Sequence, residues 1–493
     1  LIAGEDDLEV SNYLSDKFQV NGKKYIHSLD ESYSGEYNMG TIKSINPATG
    51  ETNAEFDLYS SEIVNSKIKI SKEALKEWRN TPLIDRTFSL ECVGEVLRHR
   101  HNELAAIITQ EMGKPLKESL AEVEKCAWTC DYFAKNADEF IASEFIETDA
   151  KTSGYIYEPV GTVLSIMPWN FPFWQALRSG ISALAGGNTV ILKHASNVPM
   201  CALEIEGIFI EAGLPEGVYS TLLIDGPTAS SLISRNEINA VSFTGSRNAG
   251  EKVAEAAGRN MKKIVLELGG SDPFIVLEDA DIKNAAKIAV ASRFQNAGQS
   301  CIAAKRFIVS EEIAEEFTER FVENTLDLKI GDPMEMSTDM GPLVSANQRE
   351  NIEKQVSETL KMGANVLVEG GAMDGDGFFY MPTVLNNIKE GAPVLQEETF
   401  GPIAPIITFR QENEALDIAN NTEFGLGASI WTEDRDRAMR MSKYVESGII
   451  AINNFVASDP RLPFGGFKKS GVGRELYKIG MLEFMTAKSM KVY

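Results

Sequence analysis

Between Ile63 and Trp78, and again from Thr87 to Met112, apolar residues return at spacings of three and four between polar ones, which predicts amphipathic helices. A third such stretch from Leu116 to about Phe140 closes a helical block. From Gly154 onward the pattern changes, and short apolar runs alternate with helical stretches: GTVLSIMPW, QALRSGISALAGG, NTVILK, ALEIEGIFIEAG and GVYSTLLI. With glycines and prolines at the junctions, this alternation predicts a parallel sheet with crossover helices, a fold whose ligands bind at the carboxyl ends of the strands. A second alternating section begins near Lys263 with KKIVLELGG and PFIVL. Helices over 282–294 and 311–328, with the strand RFIVS between them, give it the character of a separate α/β unit. The tail AKSMKVY alternates like a strand and, lacking a partner in its own unit, is expected to pair with another subunit. Residues 1 to about 43, with clusters such as SLDESYSGEYN, have the character of an extended, weakly structured lead-in.

A chain of 493 residues implies about two to four units of ordinary domain size. Acidic residues outnumber basic ones by 72 to 48. The resulting charge of −24 argues against nucleic acid or an anionic membrane surface as partner, and an anionic ligand needs a locally basic pocket. The five cysteines, an odd and sparse set, fit free thiols in a reducing compartment. Cys126 and Cys130 stand four apart in a helical stretch with no histidine or further cysteine near, so core packing is expected there and no metal site. The first residues, LIAGEDDLEV, lack the cationic flank and apolar run of a signal peptide, and no apolar run reaches membrane-spanning length. A cytoplasmic location is the expectation. The sequence opens at Leu1 without methionine, so a trimmed start is expected as well.

Several residues stand where chemistry is feasible. Cys301 ends FQNAGQSC, a small-residue turn after a helix that lifts the sulfur from the packed core. Glu267 ends the apolar run in LELGG, where a carboxylate must reach water or a partner, a setting that raises its pKa and suits general-base work. Asn170, in MPWNFPFW, offers an amide donor of the type that stabilises an oxyanion. Lys193 closes TVILK, a cation at a strand end suited to a ribose or phosphate. In FTGSRNAG, Phe243 to Gly250, a turn glycine and a serine open a helix whose amides suit a pyrophosphate. Each has a plainer alternative: a buried cysteine, a solvated glutamate, a turn asparagine, a snorkelling lysine. The G-x-G-x-x-G fingerprint and the P-loop are both absent.

The ordered set MPWNFP, NTVILKHA, SFTGS, LELGG, NAGQSC, EETFGP and PFGGFKKSGVGRE resembles the aldehyde dehydrogenase superfamily, from INPATGE near Ile45 to the C-terminus. Within it the chain is most similar to the bacterial succinate-semialdehyde dehydrogenases, on LKHA in place of LKPA and on ELGGSDPFIVL. The resemblance implies an α/β fold: a Rossmann-like dinucleotide-binding domain over residues 1–137 and 158–266, an α/β catalytic domain over 267–451, and a small β oligomerisation arm over 138–157 and 476–493. It makes Cys301 the nucleophile, Glu267 the base, Asn170 the oxyanion donor together with the Cys301 amide, and Glu475 a second carboxylate assisting proton release. Met167, Pro168, Trp169, Lys193, Ser196, Gly226, Phe243, Gly245, Ser246 and Leu268 would line the cofactor, with Glu398 and Phe400 at the nicotinamide ribose and ring.

The same resemblance implies a short aldehyde with a distal carboxylate, gripped by Arg178. Trp174, Gln295 and Ser458 would share that pocket, and Gln295 stands where some relatives carry a second arginine. Ser196 stands where NAD-preferring relatives often carry a glutamate, so NADP is expected to serve at least as well as NAD; the other reading of Ser196 is a helix N-cap. A homo-oligomer, dimer or tetramer, is expected. Two rival functions remain, transfer of the acyl group to coenzyme A, against which Glu267 argues, and a catalytically silent binding protein.

Overall fold

The computed structural model describes residues 40–493. Its first element, Thr41–Ile45, pairs antiparallel with Thr52–Asp57 around a turn in which Gly50, at φ 73°, donates its N–H to the Asn46 carbonyl at 2.8 Å. The expected irregular lead-in therefore ends before Thr41, because the turn NPATG folds five short residues back into a hairpin; residues 1–39 lie outside the described part.

The helical block begins with Ser61–Trp78, whose N-cap Ser60 accepts from the Ile63 N–H at 3.3 Å. The stretch from Thr87 to Met112 is two helices, Leu83–His99 and His101–Met112. The apolar rhythm runs through the break because both helices keep one buried side, while Arg100 leaves helical geometry, at φ −98° and ψ 17°. Its guanidinium holds Glu204 at 2.5 Å and also meets Glu103 and Glu211. Leu116–Phe140 follows as one long helix.

The first large sheet runs in the order Gly471–Val472, Lys263–Glu267, Ala240–Thr244, Thr162–Met167, Thr189–His194, Tyr219–Thr221. Its members are parallel except the first, which joins antiparallel from far along the chain. Lys263–Glu267 therefore belongs here and does not open the second unit, and the second sheet starts at Asp272. That sheet has the order Asn365–Val368, Thr383–Asn386, Ile403–Phe409, Ala304–Ser310, Asp272–Val276, Gly427–Trp431, Ile449–Ile452. Because the loop of Leu268 to Ser271 is so short, the end of one sheet delivers the chain directly to the start of the other.

The C-terminal strand Met485–Val492 pairs in register with Thr152–Pro159 of the same chain, which itself pairs with Glu144–Phe145. The tail thus has an intrachain partner that the sequence pattern concealed, since the two strands lie more than 320 positions apart. All but the first residue of the tail strand are exposed, as are Phe145 and Ile146. Cys126 and Cys130 are fully buried in the main apolar cluster, beside Phe133, Phe173 and Leu177. Among the described residues no helix is long and apolar enough to cross a membrane.

Candidate active site

The helix Ile282–Phe294 ends seven residues before Cys301, and the link is unusual backbone: Asn296, Ala297 and Gly298 take φ of 51°, 53° and 74° in succession. Non-glycine residues adopt that left-handed region only when surrounding bonds enforce it. Those bonds are present. The buried Arg293 guanidinium donates to the Ala304 and Thr399 carbonyls at 3.0 Å each and to the Gly401 carbonyl. Glu118 accepts from the Asn296 N–H at 3.0 Å. A Cβ on Gly298 would stand 2.4 Å from the Gly401 oxygen, so glycine is required at that close approach. From the far side, the buried Lys305 ammonium donates to the Ser300 and Cys301 carbonyls at 2.8 Å each. Cys301 itself is partly buried, and that burial pushes its thiol up to about 12, against the opposing pull of Lys305 and Arg178.

Asn170 sits at the turn that opens the helix Pro172–Ala185. Its Nδ2 donates to the Gln299 carbonyl at 3.0 Å, and Asn296 Nδ2 returns a bond to the Asn170 carbonyl at 2.9 Å. A primary amide has two N–H donors, so one fixes Asn170 to the cysteine loop and the other remains for a ligand oxygen. The helix start is fixed by Glu122, which accepts from the Phe173 and Trp174 N–H groups at 2.9 and 3.0 Å and pairs with the fully buried Lys114 at 2.5 Å.

Glu267, at the end of its strand, is buried with neither carboxylate oxygen hydrogen-bonded. Desolvation and the nearby Glu475 hold its carboxyl well above the ordinary range, with Arg178 and Arg474 opposing. Glu475, also buried, is raised by desolvation and accepts from Ser242 Oγ at 3.4 Å. The Arg178 guanidinium stands in ion contact with Glu475, and neither Arg178 Nε nor that carboxylate oxygen has an aligned hydrogen bond. Glu475 alone is in ion contact with that guanidinium, whose charge also acts on Glu267, and two neighbouring buried carboxylates favour a state with one ionised and the other protonated.

The residues assigned to the substrate pocket separate into two groups. Trp174 and Arg178 lie on the same helix, both buried, with the guanidinium carbon 6.0 Å from the Trp174 ring centroid and 4.5 Å from that of Phe464. Ser458 comes to them through Lys125, whose ammonium donates to Ser458 Oγ at 2.7 Å and lies 4.3 Å from the Trp174 centroid. Gln295 is exposed and makes no hydrogen bond to any of them among the described residues. Lys125, Lys305, Arg293 and Glu122 were absent from the sequence reading. The usable signal for Lys125 was its place three residues after Glu122 on one helix face, both turning inward while Ala121 and Glu124 between and beside them are exposed.

The residues assigned to the cofactor gather at the carboxyl ends of the first sheet's strands. Met167 is buried, with Pro168 and Trp169 half-buried after it, and the Trp169 ring meets Phe400 edge-on at 5.7 Å. Lys193 is half-buried without a carboxylate ion pair among the described residues, and burial lowers its ammonium while Asp225 opposes. Ser196 is exposed; the helix after it, Pro199–Glu211, starts from Val198, so Ser196 is not its N-cap. Space is open around Gly226. Ser246 is the N-cap of Arg247–Arg259, yet its side chain makes no capping bond, leaving the first-turn amides to a ligand. A Cβ on Gly245 would lie 2.7 Å from the Phe243 ring, and Leu268 packs against Gly250 of that helix. Glu398 accepts from the Gly270 N–H at 3.0 Å with Lys305 at 3.6 Å, and burial raises its carboxyl. An uncapped helix start, a strand-end cation and a glycine turn fit the phosphates and ribose of a dinucleotide.

A thiol on an over-determined loop, close to where the two α/β sheets meet and with a dinucleotide cleft at the strand ends of the first, fits the fold of a nicotinamide-dependent oxidoreductase. The chain matches the aldehyde dehydrogenase family over residues 34–490 and belongs to it. It is 47% identical to the "Probable succinate-semialdehyde dehydrogenase [NADP(+)]" of Synechocystis sp. over 91% of this chain and 99% of that one. It is 44% identical to "Succinate semialdehyde dehydrogenase [NAD(P)+] Sad" of Escherichia coli over 90% and 96%. The crystal structure of succinic semialdehyde dehydrogenase from Streptococcus pyogenes, in complex with NADP+, superposes with a TM-score of 0.89 at 36% identity, covering 92% of this chain and 99% of that one.

Proposed function

We propose that the protein oxidises a short aldehyde with a distal carboxylate, succinate semialdehyde foremost, to its acid, with NADP serving at least as well as NAD. The observation that carries the reading is the bonded loop of Cys301, tied to Asn170, with the buried Arg178 cation acting both on the thiol and on the Glu267–Glu475 pair. The names of the similar enzymes from Synechocystis and Escherichia coli support the substrate and the cofactor.

In this mechanism the Cys301 thiolate forms a C–S bond to the carbonyl carbon, and the carbonyl electron pair moves to oxygen, where the free Asn170 N–H and the Cys301 amide receive it. A bound nicotinamide would supply the hydride acceptor that the tetrahedral carbon needs. Lys193, the Ser246 turn, Glu398 and Phe400 would hold the cofactor. Glu267 then takes a proton from water, which attacks the thioester and expels the Cys301 thiolate. Glu475, fixed by Arg178, shares that proton. Lys305 anchors the cysteine carbonyl while the carbon changes geometry. Acyl transfer to coenzyme A is disfavoured, because Glu267 is placed to activate water.

The three-stranded arm, with its exposed edge strand and exposed Phe145 and Ile146, supports pairing between subunits into a dimer or tetramer. We assign cofactor binding to residues 1–137 and 158–266, catalysis to 267–451 and the arm to 138–157 and 476–493; the first sheet keeps Glu267 and is joined by Gly471–Val472. All five cysteines are free, which supports a reducing, cytoplasmic setting. A panel of aldehydes with both cofactors and no coenzyme A tests the reading. The expected result is free acid, with the highest kcat/KM for succinate semialdehyde. An efficiency with NAD more than about tenfold above NADP overturns the cofactor assignment, and Cys301→Ala turnover within about tenfold of the parent overturns the mechanism.

A further inference from the structure

We propose that Lys125 is the cation that receives the substrate's distal carboxylate, with Ser458 as its hydrogen-bonding companion and Trp174 as the platform that sets their distance from the reacting carbon. The inference rests on the carboxylate-bearing aldehyde proposed above and relocates its recognition from Arg178 to a different helix.

Arg178 is already committed. Its guanidinium meets Glu475 and stands 3.5 Å from Thr244 Oγ1, so a substrate carboxylate would compete with a buried internal one. Gln295 is neutral and exposed. Lys125, on the helix Leu116–Phe140, is the cation without a commitment of that kind: among the described residues it has no carboxylate ion-pair partner. The acids around it are taken by others. Glu122 holds Lys114 and the amides of Phe173 and Trp174. Asp459 holds Arg461, while Glu124 and Asp131 hold Arg98.

An ammonium carries three N–H donors. One goes to Ser458, the Trp174 face attracts the charge, and a donor is left for an incoming oxygen. A partly desolvated cation with no counter-ion is unfavourable, and a carboxylate arriving on the substrate removes that penalty at the moment of binding. Burial, with the neighbouring Arg178 charge, lowers the Lys125 ammonium to about 8, as expected where an anion is missing. The position also suits a short chain. The Trp174 ring meets both Lys125 and Arg178, and the Arg178 charge acts on the Cys301 thiol.

The test compares Lys125→Met, Lys125→Arg and the parent with succinate semialdehyde and with pentanal. Losing one charged hydrogen bond should raise KM for succinate semialdehyde about tenfold or more in Lys125→Met, with kcat little changed and KM for pentanal not raised. Lys125→Arg should recover most of the loss. A second readout needs no turnover: succinate should slow iodoacetamide labelling of Cys301 in the parent and in Lys125→Arg but not in Lys125→Met. If KM rises equally for both aldehydes, or succinate protects Lys125→Met as well as the parent, Lys125 has a structural role only and the inference falls while the substrate reading stands. If the parent itself prefers pentanal, the substrate reading falls and this inference with it.

Discussion

Replacing Glu267 by glutamine keeps the side-chain shape and removes both the base and a buried titrating group, so it should disable hydrolysis and gain stability relative to the parent as pH rises. The direction follows from the raised carboxyl, which desolvation and Glu475 hold well above the ordinary glutamate value. A group whose pKa is higher in the folded than in the unfolded chain stabilises the fold fully only below its unfolded pKa, about 4.3 for glutamate. Above that value the parent loses stability as pH rises, until the pH passes the folded pKa. Glutamine does not titrate. The variant's advantage should therefore be smallest near about pH 4 and widen as pH rises, by at most about 1.4 kcal/mol per pH unit. Neither Glu267 oxygen has a hydrogen bond to lose, and the cost of burying the glutamine amide, about 1–3 kcal/mol, does not change with pH, so the widening of the gap carries the test. Urea midpoints of parent and variant at about pH 5 and about pH 7, at one protein concentration, measure the gap. Rapid mixing should show one burst of reduced cofactor per Cys301, followed by a steady rate about 10²–10⁴ lower than the parent's. A gap that does not widen in the variant's favour as pH rises would refute the reasoning.

Three further outcomes are expected. Iodoacetamide labelling of Cys301 in the enzyme without cofactor should accelerate steadily from about pH 7 to about pH 10, because burial holds the thiol up to about 12 and thiolate is the reacting form; a plateau below about pH 9 contradicts it. Arg293→Met strands buried carbonyls at Thr399, Gly401 and Ala304, and should lower stability by about 3 kcal/mol or more in urea unfolding; an unchanged midpoint shows that the loop holds its left-handed turn without the arginine. Gly245→Val places a side chain against the Phe243 ring and should weaken NADP binding by several-fold in a fluorescence titration, from about 1–3 kcal/mol of overpacking; an unaltered Kd removes Gly245 from the cofactor wall.

The parallel sheet and its crossover helices were legible because each element is local: apolar runs such as TVILK and SFT sit between turn residues, and neighbouring strands are near in sequence. The motif order brought Cys301, Glu267 and Asn170 into one reading, and the structure sets them at the junction of the two sheets. What periodicity could not display is pairing over long sequence distances. The strand Met485–Val492 looked partnerless because Thr152–Pro159 is so remote, and Lys263–Glu267 looked like the start of a second unit because sheet membership is decided by its neighbour Ala240–Thr244. Arg178 was visible as an arginine near the oxyanion turn, but its contact with Glu475, almost 300 positions away, was not. Lys125 escaped notice for the reverse reason. In sequence it is one more lysine on a charged helix, and only the packing of that helix against Trp174 makes its charge matter.

The antiparallel strand Gly471–Val472 closes the edge of the first sheet against Leu266 and Glu267, and three residues after Val472 comes Glu475. During synthesis the ribosome therefore releases the sulfur nucleophile and nearly all of the cofactor cleft about 170 residues before the second carboxylate and the lid over the base emerge. A nascent chain halted between those points has Cys301 but leaves Glu267 on an open sheet edge, reachable by water and without the neighbour that raises its pKa. Competence for the full cycle is thus a property of the finished polypeptide. Truncations placed before residue 471 should separate thiol labelling from turnover, and the last few kilodaltons act as a timer on when the enzyme switches on.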